Sequence, residues 1–184
     1  MRLSYEQCRD DWFERRKRLL LLSALRRPRY QRVFEVGCAY GILTAALAPR
    51  CEQLIATDHD RHALVHARAM LAAQSNVCLS TMRVPDEWPQ GRFGLIVLGE
   101  FLYYLPRTEI RRVARRALLS LDAGGEIVAC HWRHAVPETG ISGDEVHAEL
   151  HAALPLDFGL RHQEAEFILE SWSSESEFAC EHAA

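Results

Sequence analysis

The stretch Phe-Glu-Val-Gly-Cys-Ala-Tyr-Gly-Ile-Leu-Thr at residues 34–44 constrains the fold of this chain more than any other. The apolar residues that precede Gly37 are typical of the end of a buried strand, and those that follow Gly41 are typical of the start of a helix. Glycine lets the backbone approach a ligand closely, and the free N–H groups at a helix start donate hydrogen bonds. The stretch therefore predicts a ligand cradle between a strand and a helix.

An acidic residue follows this loop at the spacing of a nucleoside site. Leu54–Thr57 is typical of a short apolar strand, and Asp58 stands at its carboxyl end. An acid about 20 residues after a glycine loop can accept hydrogen bonds from both hydroxyls of a ribose. A dinucleotide fingerprint needs glycines at the third and sixth positions counted from Gly37, where this chain has Ala39 and Ile42. The pattern predicts a nucleoside-binding βαβ unit of another kind, with a tight turn that binds nothing as the alternative.

The composition indicates one ordinary globular domain. The chain has 184 residues, of which 48% are hydrophobic and 26% are charged, and its net charge of -3 argues against nonspecific binding to nucleic acid. The basic and apolar run at 15–22 is too short to span a bilayer and precedes no signal-peptide cleavage site. No two of the six cysteines form a C-x-x-C pair. We therefore expect reduced thiols and a cytoplasmic location, without a membrane or nucleic-acid partner.

The ends of the chain are expected to differ from its middle. Residues 1–30 are predicted to form a helical N-terminal arm that stops at Pro28, and the buried face of its helix is expected to carry Trp12, Leu19, Leu22 and Leu25. This arm is expected either to cover the ligand as a lid or simply to dock on the domain. The domain itself is predicted over residues 31–175, followed by a flexible tail at 176–184.

Between the ends, strand and helix patterns alternate, which predicts an open α/β sheet with helices on both faces. We predict helices over 40–48, from Asp60 onward, over 107–120 and over 142–154, and a turn at 122–125. The predicted strands cover 31–36, 53–57, 77–81, 93–99, 126–131, 160–164 and 167–172. Ligands in such sheets bind at the carboxyl ends of the strands, so the polar residues just after each strand are the site candidates.

Several motifs in order along the chain resemble those of the NodS-like methyltransferases, which are class I enzymes dependent on S-adenosylmethionine. The resemblance extends from about Asp11 to Trp172 and implies a single Rossmann-like domain. In that fold a mostly parallel, seven-stranded sheet has an antiparallel C-terminal strand. The motifs are Asp-Trp-Phe-Glu-Arg-Arg-Lys (11–17), the glycine loop (34–44), Pro-Asp-Glu-Trp-Pro (85–89), Leu-Gly-Glu-Phe-Leu-Tyr-Tyr-Leu (98–105), His-Trp-Arg (131–133) and Gly-Asp-Glu-Val-His (143–147).

The resemblance implies S-adenosylmethionine as the cofactor and S-adenosylhomocysteine as the product. Met82 and Arg83 stand where the family usually has Gly-Asp, and Gly94 stands where it usually has Asp. Arg83 cannot accept a hydrogen bond, so we expect backbone atoms and stacking to hold the adenine. The residues expected at the cofactor are Glu35, Gly37, Cys38, Ala39, Gly41, Asp58, His59, Arg83, Val84, Gly99 and Glu100.

Methylation of an amine needs a proton acceptor, because the nitrogen must be neutral when it attacks. Each candidate also has a structural interpretation: Glu100 could brace a loop, Tyr103 could be pocket wall, His131 could be a core histidine, and Asp144 could favour a helix dipole. Trp132 could stack on a sugar or belong to the core. The candidate catalytic residues are Glu100, Tyr103, His131, Asp144 and His147.

The function implied by the resemblance is methylation of an amine, because NodS itself methylates the deacetylated terminal glucosamine of a chitooligosaccharide. The expected partner is a small-molecule or oligosaccharide acceptor. Two alternatives remain open: methylation of a small carboxylate or hydroxyl compound, and a protein that binds the cofactor without catalysis. The histidines at 59, 62 and 66 share a helix face, but methyl transfer to nitrogen needs no metal, so we expect no metal site.

Overall fold

The computed structural model describes residues 11–174, so the predicted tail at 176–184 lies outside the described residues. Within this part of the chain, five α-helices flank one sheet: α1 (Trp12–Ala24), α2 (Ile42–Leu47), α3 (Arg61–Met70), α4 (Arg107–Leu119) and α5 (Gly143–Ala153). The strands are β1 (Tyr30–Val36), β2 (Cys51–Asp58), β3 (Val77–Thr81), β4 (Phe93–Gly99), β5 (Leu121–Trp132), β6 (Asp157–Gln163) and β7 (Phe167–Ser173).

The seven strands have the order β3-β2-β1-β4-β5-β7-β6. The first five strands are mutually parallel, and β7 runs antiparallel to both β5 and β6. The chain moves outward from β1 to β3 and then returns to the other side of β1 with β4. This reversal is the switch point at which α/β sheets bind ligands. The predicted architecture is confirmed.

The sheet is buried on both faces because neighbouring residues of a strand point to opposite sides. Phe34 and Ile96 belong to one hydrophobic cluster, which α4 and α5 cover. Val33 and Leu95, one position earlier on the same strands, belong to the other cluster, which α1 covers. The nearly continuous apolar run of β4 is explained by this double coverage.

Two predicted helix starts are confirmed by their caps. Asp60 precedes α3, and its carboxylate accepts hydrogen bonds from the backbone N–H groups of His62 and Ala63. Ser142 and Glu145 form a capping box at the start of α5. Each cap satisfies backbone donors that a helix start otherwise leaves free.

The predicted buried face of α1 is wrong at two positions. Trp12 is 72% exposed and Leu19 is 55% exposed, whereas Lys17 and Leu21 are buried. Lys17 lies four residues before Leu21, and this spacing puts both on one face of the helix. Apolar periodicity could not assign Lys17 to this face, because an ammonium is buried only where an ion partner compensates it. Leu25 is buried, as predicted.

The predicted turn at 122–125 is also wrong, because β5 already begins at Leu121. Leu121 pairs with Phe93, but the next paired residue is Glu126, opposite Leu95. The intervening residues form an irregular bulge within the strand, which explains their turn-like sequence. The first predicted helix is shorter than expected, and α2 begins only after Gly41. No helix between residues 11 and 174 is long and apolar enough to cross a bilayer.

Candidate functional site

The glycine loop between β1 and α2 is the tight turn that its sequence predicts. Gly37 and Gly41 have φ values of 76° and 79°, and Ala39 between them has a φ of 46°. The N–H groups of Gly37 and Cys38 donate to the Thr57 carbonyl at 2.8 and 2.9 Å, which ties the loop to the end of β2. A Cβ atom at Gly37 would lie 3.2 Å from Phe101, so this position has little room for a side chain. The loop is a fixed backbone cradle at the switch point.

Asp58 lies at the mouth of this loop, as predicted. Its carboxylate accepts hydrogen bonds from the N–H groups of Ala39 and Asp60, both at 2.8 Å. The His59 ring lies 3.4 Å from the same carboxylate and is exposed. A carboxylate has about four acceptor positions, so Asp58 retains the capacity to accept from ribose hydroxyls. The backbone contacts fix where that acceptor stands.

Glu35 lies beneath the loop, fully buried near the end of β1. Burial raises the pKa of its carboxyl to about 7. Its Oε2 atom and the hydroxyls of Thr44 and Thr57 have no hydrogen-bond partner among the described residues. Buried polar atoms without partners are rare in native proteins. The floor of the cradle therefore contains polar atoms that could still form hydrogen bonds.

Open space lies at the end of β4, next to this cradle. Gly99 is the last residue of β4, whose neighbour Leu98 pairs with Val36 of β1. A Cβ atom at Gly99 would meet no atom within 4 Å among the described residues. The left-handed loop, the acceptor at Asp58 and the gap beside Gly99 fit a nucleoside with a polar tail.

Arg83 and Val84 are the residues after β3 that were predicted to contact the cofactor. The side chain of Arg83 is exposed, while its backbone N–H donates to Glu87 at 2.6 Å. Val84 packs against the core cluster of α4 and α5. A contact of either residue with adenine stays a prediction.

Glu100 follows Gly99 and is the centre of a polar cluster. It has a positive φ of 53°, which is unusual for a residue with a side chain. Its carboxylate accepts hydrogen bonds from the Lys17 ammonium and the Tyr103 hydroxyl, each at 2.6 Å, and from the backbone N–H of Trp132 at 3.1 Å. The cluster thus connects α1, the end of β4 and the end of β5.

Lys17 was not predicted as a site residue. Its side chain is buried, and its ammonium also contacts Glu14 at 2.9 Å. Burial lowers the pKa of Lys17, but the carboxylates of Glu100 and Glu14 outweigh that effect and raise the pKa above the usual lysine value. Lys17 therefore stays charged and holds α1 against the strand ends.

Two predicted histidines meet behind this cluster. Nδ1 of His131, near the end of β5, lies 3.1 Å from Nε2 of His147 on α5. Nδ1 of His147 lies 2.6 Å from the carboxylate of Glu170 on β7. The Tyr103 ring packs edge-on against His131, with the ring centroids 5.6 Å apart. The structure thus brings together four of the five catalytic candidates, Glu100, Tyr103, His131 and His147.

Asp144, the fifth candidate, has its carboxylate paired elsewhere. Arg133 binds it through two hydrogen bonds of 2.8 and 2.9 Å, and that contact lowers the pKa of Asp144. Asp144 lines a surface pocket beside His147 rather than contacting Glu100 or His131 through a hydrogen bond.

Glu170 was missed by the sequence analysis, although its sequence carries a signal. It is an acid within the apolar run Phe-Ile-Leu-Glu-Ser-Trp, and an ionisable residue is seldom fully buried without a partner. Arg161 donates a hydrogen bond to its second oxygen. Burial raises the pKa of Glu170, but the contacts from His147 and Arg161 outweigh it and leave the pKa at about 2. Among residues 11–174, no three His, Cys, Asp or Glu side chains are grouped so that they could hold a metal ion.

The strand order, with a glycine loop after β1 and an acid at the end of β2, defines the class I methyltransferase fold. The family profile of Nodulation protein S matches residues 5–153. The chain therefore belongs to the Nodulation protein S (NodS) family.

Individual relatives agree with this assignment. Nodulation protein S of Rhizobium tropici is 34% identical over 119 residues, which cover 63% of this chain and 50% of that protein. The chain thus spans about half the length of the curated relatives it matches. Among solved structures, a proposed methyltransferase from Pseudomonas syringae is 41% identical, with a TM-score of 0.79 and coverage of 88% of this chain and 99% of that one. The N-methyltransferase NodS from Bradyrhizobium japonicum WM9, solved with S-adenosylhomocysteine, is 26% identical, with a TM-score of 0.81 and coverage of 91% and 90%.

Proposed function

We propose that this protein is an S-adenosylmethionine-dependent methyltransferase that methylates an amine, such as a deacetylated aminosugar. The observation that carries the proposal is the conjunction at the switch point. The glycine loop, the Asp58 carboxylate and the open space beside Gly99 lie at adjacent strand ends. The NodS structure with S-adenosylhomocysteine shares this fold and supports the assignment.

The cofactor supplies an electrophilic methyl group on a sulfonium. In this proposal Asp58 accepts hydrogen bonds from the ribose hydroxyls, and the loop from Gly37 to Gly41 lies against the polar tail. The protein's main contribution is to align the acceptor nitrogen with the methyl carbon, which is catalysis by proximity. Glu35, Cys38, His59, Arg83 and Val84 are assigned to the surroundings of the cofactor on the same basis.

The strand ends carry groups that can accept a proton, which favours an amine or a hydroxyl over a carboxylate as the acceptor, because a carboxylate needs no base. Between the first two, the amine is chosen because the NodS structure is that of an N-methyltransferase. Glu100 and His131 are such groups, and Tyr103 links them by contacting both. Trp132 is 40% exposed; its backbone N–H donates to Glu100, and its indole N–H donates to Glu166 at 3.3 Å. An exposed indole at this position suits the apolar face of a sugar ring.

The arm at residues 1–30 is assigned as a lid over the domain at 31–175. Lys17 contacts Glu100, and Arg16 contacts Glu164 at 2.7 Å, so both ion pairs connect α1 to the domain. The remaining assignments are a cytoplasmic location and a small-molecule or oligosaccharide acceptor, without a nucleic-acid or membrane partner.

A methyl-transfer assay on three classes of acceptor tests the proposal. The purified protein is incubated with S-adenosylmethionine and a deacetylated chitooligosaccharide, a small carboxylate or a phenol, and products are detected by mass spectrometry. We expect a mass increase of one methyl or more only on the aminosugar. The fully acetylated oligosaccharide is the matched control, because it differs only in the blocked amine.

The other outcomes separate the alternatives. Transfer to the carboxylate or the phenol instead would establish an O-methyltransferase. Binding of S-adenosylhomocysteine without turnover on any amine would favour a protein that binds the cofactor without catalysis.

A further inference from the structure

Trp132 is a large exposed side chain on the same side of the sheet as the open space at Gly99. Gly99 of β4 pairs in register with Cys130 of β5, and Trp132 lies two residues further along β5. Because side chains alternate between the faces of a sheet, Cys130, Trp132 and the empty Cβ position of Gly99 belong to one face. That face is the one covered by α1, since Cys130 belongs to the hydrophobic cluster packed against this helix. Two residues of strand extend about 7 Å, so Trp132 borders the open space from beyond the end of β4.

The Trp132 indole is held in a fixed orientation although it is 40% exposed. Its ring N–H donates to Oε2 of Glu166 at 3.3 Å, and the His134 ring packs against it at a centroid distance of 4.9 Å. The backbone N–H of Arg133 donates to the Glu166 carbonyl at 2.8 Å, which fastens the end of β5 to the residue before β7. A single exposed apolar residue is ordinary on a protein surface. An indole whose polar atom is already bonded and whose ring is already fixed also presents a preformed apolar face to a ligand.

The Glu166 carboxylate beside this ring retains the capacity to accept hydrogen bonds. The contacts from Trp132 and His134 both reach Oε2, and no hydrogen bond to Oε1 is formed within residues 11–174. The Glu166 side chain is 50% exposed, so Oε1 lies within reach of a ligand from solution. Hydrogen bonds from Trp132 and His134 lower the pKa of Glu166, so the group is ionised at neutral pH. An ionised carboxylate only accepts hydrogen bonds, and it accepts them strongly.

An apolar ring face next to a carboxylate is complementary to a pyranose ring. One face of such a sugar carries C–H groups, whose weak positive charge is attracted to the negative face of an aromatic ring. The edge of the sugar carries hydroxyls, which can donate to an ionised carboxylate. A purely apolar ligand would cover the indole but would leave the carboxylate desolvated and without donors, which is costly.

Glu166 lies two strands away from the proposed transfer point. Gly99 ends β4, Trp132 ends β5 and Glu166 precedes β7, and these three strands are neighbours in that order. Neighbouring strands are about 4.8 Å apart, so the line from Gly99 to Glu166 crosses roughly 10 Å. A single pyranose ring is shorter than this line. A ligand that brings its amine to Gly99 and also reaches Glu166 therefore needs more than one ring.

We propose that Trp132 and Glu166 form a subsite for a second sugar ring of the acceptor, next to the ring whose amine is methylated. This second ring stacks on the indole, and its hydroxyls donate to Oε1 of Glu166, while His134 holds the indole and Oε2 in place. The inference rests on the proposed function for its substrate class, an aminosugar, and adds that an oligosaccharide is preferred to a monosaccharide. The backbone N–H of Trp132, which donates to Glu100, connects the subsite to the transfer point.

The first experiment measures binding without methyl transfer. Chitotriose with a deacetylated terminal ring is titrated by calorimetry into the protein saturated with S-adenosylhomocysteine, which has no methyl group to give. We expect wild type to bind the trisaccharide and Trp132→Ala to bind it at least about tenfold more weakly, because the stacking face is lost. Trp132→Phe keeps an aromatic face and should recover most of the affinity. A trisaccharide that does not bind, or that binds Trp132→Ala as tightly as wild type, overturns the subsite.

The second experiment compares the same trisaccharide with glucosamine as methyl acceptors. We expect wild-type kcat/KM to be at least about tenfold higher for the trisaccharide, through a lower KM, because only this acceptor reaches the indole and the Glu166 carboxylate. Trp132→Ala and Glu166→Ala should each raise the trisaccharide KM at least about fivefold, with a much smaller change in kcat.

Phe158→Ala is the matched control for both experiments. Phe158 is an aromatic residue with 49% exposure, but it pairs with Trp172 near the other end of β7. Its variant should stay within about twofold of wild type, as is usual for a surface substitution outside a site. A loss in Phe158→Ala as large as that in Trp132→Ala would overturn the assignment of the subsite to Trp132.

The outcomes separate the subsite from the proposed function. Equal kcat/KM for glucosamine and the trisaccharide, with methylation of both, overturns the subsite alone. A wild type that methylates no amine overturns the proposed function, whereas trisaccharide binding that Trp132→Ala weakens still supports the subsite. A trisaccharide KM that Glu166→Ala leaves unchanged overturns the recognition of hydroxyls by Glu166.

Discussion

At the residue scale, the candidate site is a set of polar groups whose positions are fixed by backbone contacts. Asp58 is held by the N–H groups of Ala39 and Asp60, and Glu100 is held by Lys17, Tyr103 and Trp132. Preorganised acceptors of this kind lose little freedom when a ligand arrives. Substitutions of Asp58 at the cradle and of Glu35 beneath it test this description directly.

Asp58→Ala should weaken binding of S-adenosylhomocysteine by about ten- to a hundredfold. The reason is the loss of a charged hydrogen-bonding group, which contributes about 1.5 to 3 kcal/mol. Isothermal calorimetry measures the effect, and circular dichroism checks that the loop substitution leaves the fold intact. Asp86→Ala is the control, because Asp86 is an exposed carboxylate of the same type. Unchanged affinity in Asp58→Ala would contradict the ribose assignment.

Glu35→Gln should stabilise the protein at alkaline pH relative to wild type. The folded-state pKa of Glu35 is raised to about 7 from 4.5, so its favourable protonated form is fully present below pH 4.5 and lost as the pH rises through 7. Because one pKa unit corresponds to about 1.4 kcal/mol, the gain should approach about 3 kcal/mol at pH 8.5 and vanish near pH 4.5. Urea unfolding at several pH values measures it.

The control for that series is Glu52→Gln, which changes an exposed carboxylate on β2. Its effect on the free energy of unfolding should be small and nearly independent of pH. A Glu35→Gln effect that did not grow with pH would mean that Glu35 is ionised in the folded protein at neutral pH.

At the scale of elements, α1 is attached to the domain by a buried ammonium as well as by apolar packing. Lys17 and Leu21 lie on the face that meets the sheet, and Phe13 packs edge-on against Phe167 at a centroid distance of 5.8 Å. The ion pair from Lys17 to Glu100 joins this helix to the centre of the candidate site. The position of α1 and the ion pairing of Glu100 are therefore linked.

Lys17→Met should loosen α1 without unfolding the domain. The loss is less than the roughly 3 to 5 kcal/mol of a fully buried ion pair, because the Glu100 side chain is 33% exposed. We expect the amide hydrogens of α1 to exchange at least about tenfold faster, while those of β4 are unchanged. Arg15→Met, an exposed change on the same helix, is the control and should leave exchange unaltered.

The same scale shows what the sequence could and could not predict. The glycine loop, the acid at the end of β2 and the approximate positions of the strands were all predictable, because turn residues and apolar runs reflect local geometry. Lys17 and Glu170 were not, because the reason for their burial is a partner far away in the sequence: Glu100 for Lys17, and His147 for Glu170. Apolar periodicity alone placed Trp12 inside, although it is exposed.

At the scale of the whole molecule, the proposed cofactor site is built from the ends of the central strands rather than from a separate lobe. Its loop residues are bonded to the end of β2, and β1 and β4 belong to both hydrophobic clusters. Binding at this place should therefore couple to the stability of the whole fold. Ligand binding to the folded state alone stabilises it by mass action.

S-adenosylhomocysteine at a hundred times its dissociation constant should raise the free energy of unfolding by about 2.7 kcal/mol. Thermal or urea denaturation monitored by circular dichroism measures this shift. NAD at the same concentration is the matched control and should have no effect, because the chain lacks the dinucleotide fingerprint at Ala39 and Ile42. Equal stabilisation by NAD would contradict the assignment of the cradle to this cofactor.

A crystal structure of the complex with S-adenosylhomocysteine tests the central claim most directly. The predicted result is a nucleoside seated over the glycine loop, with its ribose hydroxyls within hydrogen-bond distance of Asp58 and its sulfur facing the open space beside Gly99. A ligand bound elsewhere on the molecule, or a ribose that makes no contact with Asp58, would contradict the account.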